Sequence, residues 1–154
     1  MDAVVKEVWV RATPMEAFQR FTDEMGSWWP MVTHSVSQAE CRDVRFREDP
    51  VESEAGGDPI RTLVEEDLEG REHVWGTIRS WDPPNRLVTS WHPGRGPEEA
   101  QELEIDFLAS EGGSTVRLTH RRWEALGDRA EEVRERYDAG WLQVLELFAG
   151  KSGD

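Results

Sequence analysis

The sequence predicts an α+β fold in which a curved antiparallel sheet packs over one long C-terminal helix. The helix is indicated by residues 128–148, where apolar side chains recur every three or four positions. The sheet is indicated by residues 60–121, where short stretches alternate between apolar and polar side chains. Because the strands and the long helix occupy separate parts of the chain, the pattern favours α+β.

The N-terminal part predicts one strand followed by two short helices. Residues 3–10 alternate and are rich in β-branched side chains, which is typical of a strand. A helix is predicted at 14–22, because Thr13 precedes Pro14 as an N-cap residue and Glu16 completes the spacing of a capping box. A second short helix is predicted at 23–29.

The middle of the chain predicts about six antiparallel strands. Alternating patterns place them at 39–47, 60–66, 71–81, 86–92, 102–108 and 115–121. The clearest hairpin has Asp82-Pro83-Pro84-Asn85 as its turn, since proline cannot donate to a strand ladder. Residues 48–59 predict an acidic loop that could include a short strand at 51–54, and residues 32–38 support no assignment.

The C-terminal helix has predicted boundaries on both sides. Asp128 is an N-cap type, Glu131 has the capping-box spacing, and Gly150 marks the expected end. Gly140 lies inside this helix at a cost of about 1 kcal/mol relative to alanine, so we expect another group to approach the backbone there. We expect one domain over residues 1–150 and a flexible tail at 151–154.

Composition excludes several classes of partner. Lys and Arg number 18 against 32 Asp and Glu, a net charge of -14, so nucleic acid and anionic membranes are poor partners. Cys41 is alone, which fits a reducing compartment. No apolar run is long enough to insert into a membrane, and the N-terminus lacks a signal-peptide pattern, so we expect a soluble cytoplasmic protein. A homodimer is plausible.

Several motifs together resemble a known family. They are FTDEMGSWWP with His34-Ser35, then VWGTIRSWDPPNRLVTSWHPG, GGSTVRLTHRRWEALG and RYDAGWLQVL. This combination resembles the bacterial proteins of the activator of Hsp90 ATPase homology group, in the START-like (SRPBCC, Bet v 1-like) superfamily. The resemblance implies a helix-grip fold, with about seven strands around the long helix and a deep apolar pocket between them. The superfamily includes lipid carriers, polyketide cyclases and co-chaperone domains, so the chemistry stays open.

Aromatic residues are the first candidates for a ligand site. The residues that a helix-grip fold would direct toward its pocket are Trp28, Trp29, Trp75, Trp91, Trp123, Tyr137 and Trp141. Each could instead simply fill the core, which is the more common role of a buried aromatic side chain. His120 continues the apolar register of Val116 and Leu118, so it could place a titratable group at the pocket or serve as a structural histidine.

Other site chemistries have little support in the sequence. The four histidines are scattered without metal-ligand spacing, so we expect no metal and no cofactor. No G-x-S-x-G nucleophile elbow is present. Gly94-Arg95-Gly96 lacks the Lys-Ser/Thr pair and the following helix of a phosphate loop.

Three functions therefore remain as hypotheses. The first is non-catalytic binding of a small hydrophobic or aromatic ligand, lipid- or polyketide-like, in the pocket. The second is an enzyme of cyclase, aromatase or hydrolase type, with His120 and Tyr137 as the inward polar pair. The third is a protein-interaction domain of the Hsp90 co-chaperone kind, which the family resemblance suggests.

Overall fold

A seven-stranded antiparallel sheet forms one layer of the fold. The computed structural model describes residues 1–49 and 60–152. The strands are β1 Val4–Val10, β2 Cys41–Asp49, β3 Ile60–Asp67, β4 Glu72–Asp82, β5 Arg86–Trp91, β6 Gln101–Ser110 and β7 Gly113–Arg121. Their spatial order is β1-β7-β6-β5-β4-β3-β2, so the first strand pairs with the last and every later neighbour is consecutive in the chain.

In the described part of the chain, three α-helices accompany the sheet and confirm the predicted α+β class. They are α1 Pro14–Asp23, α2 Met25–Trp28 and α3 Ala130–Ser152. Short 3-10 segments lie at Gln38–Glu40, Pro97–Glu99 and Trp123–Arg129. The capping box at the start of α1 is confirmed, because Glu16 N donates to Thr13 Oγ1 and Thr13 N donates to Glu16 Oε1, both at 3.1 Å.

Two predicted boundaries of the last helix are wrong. Asp128 does not cap α3, because it belongs to the 3-10 segment that leads into the helix, where Gly127 turns the chain with φ of 58°. Gly150 does not end the helix either, since α3 continues to Ser152. Residues 153–154 of the predicted tail lie outside the described residues.

The predicted loop at 48–59 is wrong at its first two residues. Glu48 and Asp49 extend β2, where they pair with Arg61 and Ile60 of β3. The reason is that the backbone ladder continues to the end of the partner strand, although the local sequence is acidic. The possible strand at 51–54 lies outside the described residues.

The hydrophobic core lies between the inner face of the sheet and α3. The buried helix residues include Val133, Trp141, Val144, Leu145 and Phe148. They share one core cluster with sheet residues such as Leu87, Leu103, Ile105, Val116 and Leu118. None of the described helices is both long enough and apolar enough to cross a membrane.

A close contact between β4 and β5 determines how two tryptophans meet. A Cβ atom on Gly76 would lie 1.8 Å from the carbonyl oxygen of Ser90, so only glycine allows this approach. His92 N donates to Trp75 O at 2.6 Å beside the same contact. The result is that the rings of Trp75 and Trp91 lie 5.5 Å apart on the inner face of the sheet.

Candidate functional site

Indole rings fill the space beneath the centre of the sheet. Trp29 lies 5.3 Å from Trp75 and 6.0 Å from Trp141 between ring centroids, and Trp91 lies 5.4 Å from Trp141. These tilted and edge-on contacts are the arrangements that aromatic pairs favour. The remaining gap under the sheet, bordered by Phe21 and Leu103 among others, holds only about 10 Å³. The expected deep pocket is therefore absent from that position.

A larger cavity lies beside this aromatic cluster, between α3 and two surface segments. Its volume is about 470 Å³, within the range of small-molecule pockets. It is lined by Trp29, Thr33, His34, Ser35, Val36, Trp91, Pro93, Gly94, Arg95, Val133, Arg136, Tyr137, Gly140, Trp141 and Val144. Because Thr33, Gly94 and Arg136 are exposed, the cavity opens to solvent on that side.

One face of α3 provides the inner wall of the cavity. Val133, Tyr137, Trp141 and Val144 follow one another at steps of three and four residues, as one side of a helix requires. Gly140 belongs to the same wall, and a Cβ atom placed on it would meet no atom within 4 Å. The expectation that another group packs closely against Gly140 is therefore wrong, because this glycine borders open cavity space.

Tyr137 supplies a hydroxyl group to the cavity. The indole N–H of Trp91 donates to Tyr137 Oη at 3.0 Å. Within the described part of the chain, no acceptor is found for the hydroxyl hydrogen of Tyr137 itself. Burial raises the pKa of Tyr137 above its usual value, so the phenol stays protonated at neutral pH. A ligand can therefore accept a hydrogen bond from this group.

His120 lies behind the cavity wall in a hydrogen-bonded chain. Trp141 Nε1 donates to His120 Nδ1 at 3.0 Å, so the imidazole carries its proton on Nε2 and faces Gln101 Oε1 at 3.2 Å. Burial lowers the pKa of His120 to about 3. His120 points inward as its register predicts. It does not line the cavity, however, and both ring nitrogens are already occupied.

A buried glutamate holds the segment 33–37 in place, and residues 33–36 of this segment form what we call the outer wall of the cavity. Glu65 is fully buried and accepts hydrogen bonds from Val36 N and Ser37 N, both at 2.7 Å, and from Trp75 Nε1 at 3.0 Å. The Ser37 hydroxyl donates to the same carboxylate. Trp29 Nε1 donates to the carbonyl oxygen of His34 at 2.9 Å. The segment 33–37 is thus tied to β3 and to the aromatic cluster.

The structure divides the predicted site residues into two groups. Trp29, Trp91, Tyr137 and Trp141 line the cavity. Trp28, Trp75, Trp123 and His120 do not line it and are core residues. Trp28 packs against Phe21 and Phe148, and Trp123 stacks on His120 with ring centroids 4.0 Å apart.

Sequence reasoning missed eleven residues of the cavity wall. The polar ones are Thr33, His34, Ser35, Arg95 and Arg136, and the others are Val36, Pro93, Gly94, Val133, Gly140 and Val144. The helical period from Val133 to Val144 contained a usable signal, because Arg136 lies between Val133 and Tyr137 on that face. Residues 33–36 carry no periodic pattern that could have indicated them. Among the described residues, no group of three or more His, Cys, Asp or Glu side chains could hold a metal ion.

The sheet order, the two short helices after β1 and the long last helix define a helix-grip fold of the START-like, SRPBCC type. The family described as activator of Hsp90 ATPase homolog 1-like protein matches residues 11–150. The chain belongs to this family. A comparison with curated proteins finds no match.

Solved structures of similar fold include proteins of different roles. The anthrahydroquino-γ-pyrone synthase Txn09, complexed with SUM, is 29% identical, with a TM-score of 0.62 and coverage of 97% of this chain and 96% of that one. CalC of Micromonospora echinospora, a self-sacrificing resistance protein, is 24% identical, with a TM-score of 0.62 and coverage of 97% and 93%. The Aha1 dimer of Colwellia psychrerythraea is 15% identical, with a TM-score of 0.56 and coverage of 97% of both chains.

Proposed function

We propose that this protein binds a planar aromatic molecule of polyketide type in the cavity beside α3. The observation that carries the proposal is the cavity wall itself, in which the rings of Trp29, Trp91, Tyr137 and Trp141 border about 470 Å³ of space. Flat aromatic ligands suit such a wall, because rings stack or meet edge to face with other rings. The 29% identity to a synthase of an anthrahydroquino-γ-pyrone supports the same ligand class.

Polar side chains are the minority in the cavity wall, and they belong to Thr33, His34, Ser35, Arg95, Arg136 and Tyr137. The free hydroxyl hydrogen of Tyr137 and the imidazole Nε2 of His34 can each meet an oxygen atom of a ligand, whereas the Ser35 hydroxyl already donates to the carbonyl oxygen of Met31. A largely apolar wall with a small number of placed polar groups is typical of small-molecule sites. This arrangement favours a ring system that carries hydroxyl or carbonyl oxygens on one side.

Binding without reaction is the simpler function for these residues. Of the polar pair that sequence reasoning named for catalysis, His120 is buried, neutral and hydrogen-bonded through both nitrogens. It therefore cannot exchange a proton with a ligand in the cavity. Tyr137 alone of that pair reaches the cavity wall.

The test is a binding titration with 1,8-dihydroxyanthraquinone, followed by quenching of tryptophan fluorescence and by thermal shift. Wild-type protein should bind it with saturable quenching. Gly140→Leu places a side chain into the cavity and should weaken binding by about tenfold or more. The matched control is Ala139→Leu, on the exposed side of the same helix turn, which should bind as the wild type does. Equal affinities of the two variants would contradict the proposed site.

A second candidate function is ring closure of a polyketide in the same cavity, which the similarity to the γ-pyrone synthase favours. In this reaction a phenol oxygen adds to a carbonyl carbon and loses its proton, and the carbonyl oxygen takes up a proton to become a hydroxyl. That hydroxyl then leaves as water together with a hydrogen from the adjacent carbon, which forms the ring double bond. Tyr137 would donate a hydrogen bond to that carbonyl oxygen. Closure of 1-(2-hydroxyphenyl)butane-1,3-dione to 2-methylchromone, with loss of water, tests this by absorbance. Acceleration that Tyr137→Phe abolishes supports catalysis, and a rate equal to that in buffer excludes this reaction for the probe.

A further inference from the structure

We infer that the ligand is an acid, with a carboxylate or acidic phenol on its ring system that is bound by Arg95 and Arg136 beside the hydroxyl of Tyr137. The inference rests on the proposed function, because it assigns the charge of the ligand in that same cavity. It goes beyond the aromatic character of the ligand, which the rings of the wall indicate.

The first supporting observation is the charge of the cavity wall. The chain carries 32 Asp and Glu against 18 Lys and Arg, yet no Asp or Glu lines the cavity, whereas two arginines and one histidine do. Composition alone would not predict a positively charged site in a protein of net charge -14. Positive side chains gathered at a concave site with low-dielectric walls attract an anionic ligand.

Arg136 is the more available of the two guanidinium groups. It lies on α3 one turn before Gly140, and both residues line the cavity. Within the part of the chain that the structure describes, Arg136 makes no ion pair and no side-chain hydrogen bond. Its charge is therefore not neutralised by a neighbouring carboxylate in direct contact.

Arg95 lines the cavity from the loop after β5. This loop is ordered by hydrogen bonds from Arg95 N to His92 O and between His92 Nδ1 and Arg95 O, both at 2.9 Å. The Arg95 guanidinium contacts Glu99 at 3.4 Å through one of its nitrogens. Its remaining N–H groups can still donate to a ligand, since a guanidinium has five in all.

Both arginines are close enough to Tyr137 to act on its phenol. Burial raises the pKa of Tyr137, while the hydrogen bond from Trp91 and then the positive charges of Arg95 and Arg136 act in the opposite direction. The three groups all line the same cavity. A carboxylate placed there could accept the Tyr137 hydroxyl hydrogen and two guanidinium N–H bonds, which are the strong charge-assisted type.

The experiment compares two probes of the same shape, anthraquinone-2-carboxylate and anthraquinone-2-carboxamide. Dissociation constants are measured by tryptophan quenching for the wild type and for Arg95→Gln, Arg136→Gln and the double variant. The wild type should bind the acid about tenfold more tightly than the amide, as expected for a charge-assisted contact at a partly exposed site. Each single variant should reduce this ratio, and the double variant should bring it close to one, mainly by weakening binding of the acid.

Arg134→Gln is the matched control, because it makes the same charge change on α3 outside the cavity wall. It should leave the ratio unchanged. If the acid and the amide bind equally well, or if the ratio survives in the double variant, the inference is overturned. The proposed function still stands in that case, provided that Gly140→Leu blocks both probes. If neither probe binds the wild type, the proposed function fails and this inference fails with it.

Discussion

Trp141 donates its indole N–H to Nδ1 of His120 across 3.0 Å, so a ring of the cavity wall is held from behind by a buried imidazole. His120 in turn faces Gln101, whose amide nitrogen donates to the carbonyl oxygen of Glu99. The orientation of Trp141 therefore depends on a chain of hydrogen bonds that ends near the loop carrying Arg95. This chain requires the neutral form of His120, because a proton on Nδ1 would leave Trp141 without an acceptor.

The first prediction concerns stability at acid pH. The folded state holds the pKa of His120 at about 3, against an ordinary value of 6.5. The contribution of this residue is therefore complete above about pH 6.5 and is lost progressively as the pH falls toward 3. Between about pH 7 and pH 5, wild-type protein should lose about 2 kcal/mol through His120. Urea denaturation at several pH values should show this loss reduced in His120→Gln, and parallel curves for the two proteins would contradict it.

The second prediction concerns the buried carboxylate of Glu65. Glu65→Gln keeps the size of the side chain but replaces one acceptor oxygen by an amide N–H₂ group. This donor would then face an N–H donor of Val36, Ser37 or Trp75. We expect a loss of about 1–3 kcal/mol in the free energy of unfolding, since a buried donor is left unsatisfied. Amide hydrogen exchange at Val36 and Ser37 should accelerate, because the outer cavity wall is released.

The neighbouring substitution Glu66→Gln is the control for Glu65. Glu66 is half-buried and forms ion pairs with Arg42 and Arg45 at the surface. Such pairs contribute at most about 1 kcal/mol, so Glu66→Gln should change stability little and leave exchange at Val36 unchanged. Equal effects of the two substitutions would show that Glu65 does not hold the wall.

The third prediction concerns Gly140 in the middle of α3. A Cβ atom there would meet no atom within 4 Å, so Gly140→Ala should raise the free energy of unfolding by about 1 kcal/mol through helix propensity. The reverse change at the exposed neighbour, Ala139→Gly, should lower it by a similar amount. Thermal and urea denaturation measure both effects. A destabilised Gly140→Ala would mean that space beside the helix is smaller than the structure shows.

The fourth prediction concerns Gly76 in β4, where a glycine-to-alanine substitution has no room for the added Cβ atom. A Cβ atom on Gly76 would lie 1.8 Å from the carbonyl oxygen of Ser90, so Gly76→Ala should force β4 and β5 apart. We expect a loss of about 3 kcal/mol or more, together with a change in the near-ultraviolet circular dichroism of Trp75 and Trp91. A variant as stable as the wild type would contradict the close approach of these strands.

The strands and the first capping box could be predicted from sequence because both are local patterns. Alternation over a few residues is sufficient to place β6, and Thr13 with Glu16 is sufficient to start α1. The extension of β2 to Asp49 could not be predicted, since it depends on pairing with β3 rather than on its own acidic sequence. The 3-10 segment before α3 could not be predicted either, because Gly127 and Asp128 also fit an ordinary helix start.

The candidate site was predicted only in its aromatic half. Trp91 and Trp141 could be placed on the inner face from their periodicity. In the polar half, Arg95 lies in a loop and has no periodic signal, whereas Arg136 follows Val133 by three residues on α3 and could have been included. Glu65 was missed for a different reason. In a chain with 32 acidic residues, one buried carboxylate has no distinguishing sequence pattern.

If the proposed function is right, the cavity beside α3, and no other part of the molecule, receives an aromatic ligand. The eight indole N–H groups of this chain provide eight signals in a ¹H–¹⁵N spectrum. Three of these tryptophans line the cavity, at positions 29, 91 and 141. Trp9 is 48% exposed on β1, and Trp81 packs against Phe18 and Phe46 away from the cavity wall.

The most direct measurement is therefore a titration of ¹⁵N-labelled protein with anthraquinone-2-carboxylate, followed through these indole signals. The signals of Trp29, Trp91 and Trp141 should shift strongly, while those of Trp9 and Trp81 should stay unchanged. Shifts concentrated on Trp9 or Trp81, or a spectrum that does not respond at saturating probe, would contradict binding in this cavity.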